Sequence, residues 1–232
     1  MKKVITRSAW AIMLTTLALA AVVGFWRPGL LRGQNNDGHQ LGGDLMQDLS
    51  GNTIECFEKG IEEYESNDNW LYSECDIRDT KDGQLIVFHD WDISSVPNSA
   101  ENQSAIGGPV NGQAICDLTL NQVRGLTLKC GCKIPTLEEV LAKAAELKLK
   151  KPLLLEVKYL HSDVGREKLL ELAVRYRDAY EIEIHFLAFI RNIHRSFPNS
   201  EFWLKKFSQA KFRVYQVFRP KTAEYDLCET LN

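Results

Sequence analysis

The sequence lacks a surplus of either charge: 28 Lys and Arg stand against 31 Asp and Glu, a net charge of −3. A nucleic-acid binder would show a basic excess or a basic stripe, so the balance argues against that class. No internal repeat and no collagen-like composition is present, and a single long uncharged run is too little for a multi-span membrane protein. No glycine-rich loop follows a strand, which lowers the dinucleotide and nucleoside-triphosphate readings. The Cys130-Gly131-Cys132 pair has no further Cys or His at metal spacing, so it does not read as a zinc site. What remains is an ordinary folded composition, 25% charged and 44% apolar over 232 residues, for which one domain is the natural expectation.

The amino terminus differs from the rest. Lys2, Lys3 and Arg7 form a basic start, and residues 9–26 then run without a charge until Arg27 and Pro28. This pattern reads as a secretory signal peptide or a membrane anchor over residues 1–32, with Ala18-Leu19-Ala20 as a small-residue cleavage site. It places the protein outside the cytoplasm, in the periplasm or the extracellular space, or held to a membrane by residues 9–26. Export permits disulfides among the six cysteines. Cys130-Gly131-Cys132 reads as a loop, with either one bridge to Cys116 or buried free thiols.

Residues 33–232 alternate strand-like and helix-like patterns. Residues 33–50 and 91–115 read as loop. Helical spacing marks residues 53–64, with Asn52 or Thr53 available as its cap, and residues 137–148 and 164–179, with another helix near 200–209. Thr119 with Gln122, and Thr136 with Glu139, are capping-box pairs. Strand-like runs fall at 70–77, 84–88, 152–157, 184–190 and 212–218. Alternation of this kind implies a parallel sheet with crossovers, as a TIM-type α/β barrel or an open doubly wound sheet. Five strands, with a possible sixth, are fewer than a closed barrel needs.

Four segments carry chemistry. Glu74 and Asp76 lie two apart in an apolar strand, so they share a face, with Cys75 on the other. Two carboxylates so placed repel each other and lose solvation, unless a cation sits between them or the face is wet. Oxygen ligands of this kind select Ca²⁺ or Mg²⁺. Glu156, in Leu155-Glu156-Val157-Lys158, needs a partner in an equally apolar strand; it suits a third metal ligand or a buried pair with Lys158. His89 closes the strand after Lys81-Asp82-Gly83, at the end where a barrel carries its site. His39 lies among glycines that permit close backbone approach.

Taken together, the stretch Glu74 to Asp90, reading ECDIRDTKDGQLIVFHD, resembles the glycerophosphodiester phosphodiesterase family. Asn52-Thr53, Asp117-Leu118-Thr119-Leu120, Ile134-Pro135-Thr136-Leu137-Glu138-Glu139-Val140-Leu141 and Leu155-Glu156-Val157-Lys158 are similar to its further signatures, in the right order. The resemblance implies a TIM barrel that hydrolyses glycerophosphodiesters to glycerol 3-phosphate and an alcohol with one divalent cation, Ca²⁺ or Mg²⁺. It implies that Glu74, Asp76 and Glu156 hold the metal, that His39 and His89 are the acid–base pair, and that Lys158 and Gln40 meet the substrate, a small molecule. Gln40 stands where the family usually has Arg, and Gln cannot supply a bidentate cationic fork. The residues before His39 are not strand-like. The stretch from His39 onward is shorter than the usual barrel of about 250 residues, so the expected barrel is incomplete. A related phospholipase D-like lipid phosphodiesterase, and a catalytically degenerate anchored barrel with a binding role, are the alternatives.

Overall fold

The computed structural model describes residues 36–217 and 228–230. The expected signal or anchor over residues 1–32 lies outside these residues. Among them, no helix is long and apolar enough to cross a membrane.

Among the described residues six strands form one sheet: β1 (Ser73–Asp79), β2 (Leu85–Val87), β3 (Leu153–Tyr159), β4 (Ile184–Phe189), β5 (Val214–Val217) and β6 (Cys228–Thr230). Their order is β2-β1-β3-β4-β5-β6. The inner four, β1, β3, β4 and β5, run parallel, and the two edge strands pair antiparallel. The parallel run is the α/β pattern expected from the sequence. Among the described residues the sheet has two edges, β2 and β6. The sixth strand, β6, lies beyond the runs that periodicity marked.

Seven α-helices accompany the sheet among the described residues: α1 (Ile54–Tyr64), α2 (Ala100–Ile106), α3 (Leu120–Gly125), α4 (Leu137–Glu146), α5 (Asp163–Tyr180), α6 (Ile190–Ser196) and α7 (Ser200–Gln209). Both capping boxes form: Thr119 with Gln122 opens α3, and Thr136 with Glu139 opens α4. Two helices correct the sequence reading. α2 sits inside the expected 91–115 loop; it has little apolar periodicity and is held by its Ser99 cap, by Gly107 at its left-handed end, and by buried Asn102, which bonds the backbone of Pro97 and Thr127. α6 begins where the 184–190 strand was expected to run on. Residues 33–50 are also not plain loop, since His39–Leu41 and Gly43–Leu45 are 3₁₀ turns.

Strand alternation divides the sheet into two faces. Cys75, Ile77, Leu153, Leu155, Val157, Ile184, Phe186 and Val214 point into the main core beneath the helices. The opposite face of β1 carries Glu74, Asp76 and Arg78, all buried. A smaller apolar cluster, with Ile86, Phe88, Ile93, Ile115 and Leu126 in it, fills the excursion between β2 and α4. Among the described cysteines, Cys56, Cys75, Cys116, Cys130 and Cys132 are free thiols, so the considered bridge to Cys116 does not form.

Among the described residues, no strand precedes β1. Residues 36–38 instead lie along its first half, where Glu74 N–H donates to the Gly38 carbonyl at 2.9 Å and Leu71 N–H to Asn36 Oδ1 at 2.9 Å. A side chain at Gly38 would meet the Tyr72 carbonyl oxygen at 2.0 Å, so only glycine allows this approach. Trp70 is fully buried beside Gly38, Gly42 and Gly60 and underpins the turn that carries His39. Trp70→Ala is expected to cost about 3–5 kcal/mol of stability, measured by urea denaturation; a loss under about 1 kcal/mol would show that the turn is supported elsewhere.

Candidate metal and acid–base site

The parallel pairing of β1 and β3 sets Asp76 opposite Glu156. With Glu74 one step earlier on the same face, three carboxylates converge, each with an oxygen within 4.8 Å of the others, and all are buried. The solvated-edge alternative for Glu74 and Asp76 is therefore excluded. Lys158 reaches into the group, with Nζ 3.0 Å from Asp76 Oδ1 and 2.7 Å from Glu156 Oε1. Both readings of Glu156 thus meet here: it pairs with Lys158 and it faces the other two carboxylates.

The surrounding contacts hold the carboxylates in place. Asn52 grips Asp76 twice: Nδ2 donates to Oδ2 at 2.7 Å, and Oδ1 accepts from Asp76 N–H at 3.1 Å. Read from sequence as a possible helix cap, Asn52 leaves that role to Thr53, whose hydroxyl accepts from Cys56 N–H. Gln40 N–H donates to Glu74 Oε2 at 3.0 Å. The Gln40 side chain lies against Gly51, so Gln40 meets the cluster through its main chain. Glu74 Oε1 is buried with no hydrogen-bond partner among the described residues.

The electrostatics follow from crowding. Burial raises the Glu74 pKa well above the ordinary carboxylate range, and the charges of Asp76 and Glu156 push it further. Burial likewise raises Glu156, although Lys158 opposes the shift. Burial alone would weaken the Lys158 ammonium, but Asp76 and Glu156 outweigh it and raise its pKa. Lys158 therefore stays charged, yet one cation cannot balance three buried carboxylates.

Two histidines stand at the rim. His39 and His89 have side chains 48% and 52% exposed, open enough to meet a solute. Each is held at Nδ1 by its own carboxylate: Asp44 at 2.8 Å for His39, and Asp90 at 2.9 Å for His89. An ionised carboxylate only accepts, so Nδ1 carries a proton in both and Nε2 is left for exchange. His39 Nε2 lies 3.9 Å from Glu74 Oε2. Burial would raise the Asp90 pKa, but hydrogen bonds from His89 and Ser95 and the charges of His89 and Arg78 bring it below the usual range.

Arg78 was not singled out in the sequence. Its position, two beyond Asp76 on the same face, was the available signal. It is buried, and its Nε and Nη2 donate to the His89 carbonyl at 3.2 and 2.7 Å, fixing the backbone that presents the imidazole. Asp79 at the end of β1 accepts from His161 and Ser162, which pins the turn after β3.

The model of the glycerophosphoryl diester phosphodiesterase family matches residues 44–231. No curated protein matches the chain. Among solved structures, a glycerophosphodiester phosphodiesterase from Parabacteroides distasonis is similar at 22% identity and a TM-score of 0.50, over 74% of this chain and 60% of its own. A second glycerophosphoryl diester phosphodiesterase from the same organism is 21% identical with a TM-score of 0.50, over 80% of this chain and 55% of its own. The chain thus spans a little over half the length of these two structures. At such identities the likeness concerns the fold.

The cluster suits a hard divalent cation. Its donors are carboxylate oxygens, Glu74 Oε1 is unpartnered, and the charge is in deficit. The raised Glu74 pKa gives this a pH signature. Between the unfolded carboxylate value and the raised folded one, the folded chain binds a proton that the unfolded chain does not. Stability of the metal-free protein therefore falls as pH rises through that window. A bound cation needs Glu74 ionised, so its stabilising effect grows over the same window. Thermal denaturation from pH 5 to 8, in EDTA and in millimolar Ca²⁺ or Mg²⁺, is expected to give melting curves that diverge as pH rises; parallel pH dependences would contradict cation binding at Glu74.

Proposed function

This chain belongs to the glycerophosphoryl diester phosphodiesterase family, and from that premise we propose that it hydrolyses glycerophosphodiesters to glycerol 3-phosphate and an alcohol, using a divalent cation. One observation carries the reading. Two imidazoles, each anchored at Nδ1 by a carboxylate, stand beside a buried three-carboxylate cluster.

The roles follow from the chemistry of an anionic diester. Glu74, Asp76 and Glu156 would hold the cation, Ca²⁺ or Mg²⁺. When bound, it supplies positive charge that offsets the non-bridging phosphate oxygens. Lys158 adds a second cation on the same face and favours the charge that develops as the diester is attacked. One of His39 and His89 removes a proton at Nε2 from the substrate's glycerol hydroxyl as it attacks phosphorus, the other gives a proton from Nε2 to the leaving alcohol oxygen, and water then opens the resulting cyclic phosphate to glycerol 3-phosphate with the two roles exchanged. Each transfer is worth about 10²–10⁴-fold. Gln40 positions Glu74 through its N–H and leaves the phosphate without the guanidinium usual there. Arg78 is a positioning residue, acting through the His89 backbone. Action outside the cytoplasm is part of the proposal and rests on the basic start and apolar run of residues 1–26.

A second reading rests on Lys158. Its contacts with Asp76 and Glu156 neutralise part of the cluster without any metal, as a barrel retained only for binding would require. Turnover separates the two. The full chain, assayed for glycerol 3-phosphate release from glycerophosphoserine, glycerophosphoethanolamine and glycerophosphocholine in parallel, is expected to be active on at least one of them with Ca²⁺ or Mg²⁺ and silent on all in EDTA. His89→Ala is expected to lower kcat by at least about 10²-fold. Folded protein that releases no glycerol 3-phosphate with either cation would refute the phosphodiesterase reading and favour the binding barrel.

A further inference from the structure

Beyond the carboxylates and histidines, the carboxyl ends of the strands carry an aromatic and cationic group that the proposed mechanism does not use. The pairing of β1 with β3 shifts after Ile77, so that Arg78 faces Tyr159 rather than Lys158. The extra residue is a bulge, and bulges re-aim side chains. It brings Tyr159 level with Arg78, next to Lys158. Trp91, two residues after His89, packs on Tyr159 with ring centroids 5.0 Å apart. Trp91 is 44% exposed, one of the few large apolar side chains left open to solvent.

Arg195, near the end of α6, lies over both rings. Its guanidinium carbon is 5.5 Å from the Trp91 centroid and 5.3 Å from that of Tyr159. The side chain is exposed and has no carboxylate or hydrogen-bond partner among the described residues. Arg78, the other guanidinium near Trp91, is already committed to the His89 carbonyl. An arginine whose face rests on aromatic rings keeps its N–H edge free and pre-oriented. That edge matches a planar carboxylate or a phosphate in a bidentate way.

We propose that Trp91, Tyr159 and Arg195 form the subsite for the alcohol half of the diester, and that Arg195 selects alcohols bearing an anionic group. The argument rests on the phosphodiesterase reading above and names the substrate class within it. The same geometry disfavours a cationic headgroup. The aromatic faces that would take a quaternary ammonium are covered by a guanidinium, and like charges repel.

Serine and ethanolamine diesters of glycerophosphate differ by one carboxylate, so their comparison isolates the contact. Wild-type protein is expected to show a higher kcat/KM for glycerophosphoserine than for glycerophosphoethanolamine. Arg195→Gln is expected to lower that ratio about tenfold or more, the range for losing a hydrogen bond to a charged group. Arg195→Lys should restore it only in part, because lysine keeps the charge but not the fork. An unchanged ratio in Arg195→Gln, with both diesters turned over, would overturn the assignment. Wild-type protein that turns over neither diester would defeat the functional reading instead. The subsite is then tested by titrating phosphoserine against tryptophan fluorescence. Saturable quenching that is lost in both Arg195→Gln and Trp91→Phe would support it, and no saturable quenching in the wild type would overturn it.

Discussion

Three carboxylates crowded onto the inner face of two neighbouring strands carry more negative charge than a buried site can hold unaided. Glu74, Asp76 and Glu156 bring oxygens within 4.8 Å of one another. At that separation mutual repulsion is large wherever water is scarce. Lys158 answers part of the charge through Asp76 and Glu156. Glu74 is left with one oxygen on the Gln40 N–H and the other unpartnered. Apolar residues at these three positions would pack the sheet without this strain. Their presence is understandable if the cluster exists to hold a cation.

Much of the surrounding structure serves that cluster. Trp70 and Gly38 bring the His39 turn against the start of β1. Asn52, just before α1, clamps Asp76. Arg78 fixes the backbone of His89. The parallel pairing of β1 and β3 then sets the spacing between the carboxylates. The side chains that meet the other face of these strands are apolar and packed under the helices, so that face supplies stability while the inner face supplies chemistry.

Part of this was legible in the sequence for simple physical reasons. Strand alternation placed Glu74 and Asp76 on one face, and the apolar run around Glu156 marked it as needing a partner. Capping boxes fixed the starts of α3 and α4. Other features were hidden because they depend on tertiary contact. α2 has little apolar periodicity and relies on buried Asn102. Asn52 looked like a cap because its use by Asp76 needs β1 beside it. Gln40 looked like a substrate contact, but its side chain turns toward Gly51 while its main chain meets Glu74. The bulge that sets Tyr159 opposite Arg78 is a register event between strands far apart in sequence, and no local pattern announces it.

The central claim is that a divalent cation, rather than Lys158 alone, balances the inner face. Crystals of the full chain soaked in Mn²⁺ would test it directly through anomalous scattering. The account predicts one strong peak within bonding distance of carboxylate oxygens from Glu74, Asp76 and Glu156. A cluster that shows no peak, with Lys158 still bridging Asp76 and Glu156, would contradict it.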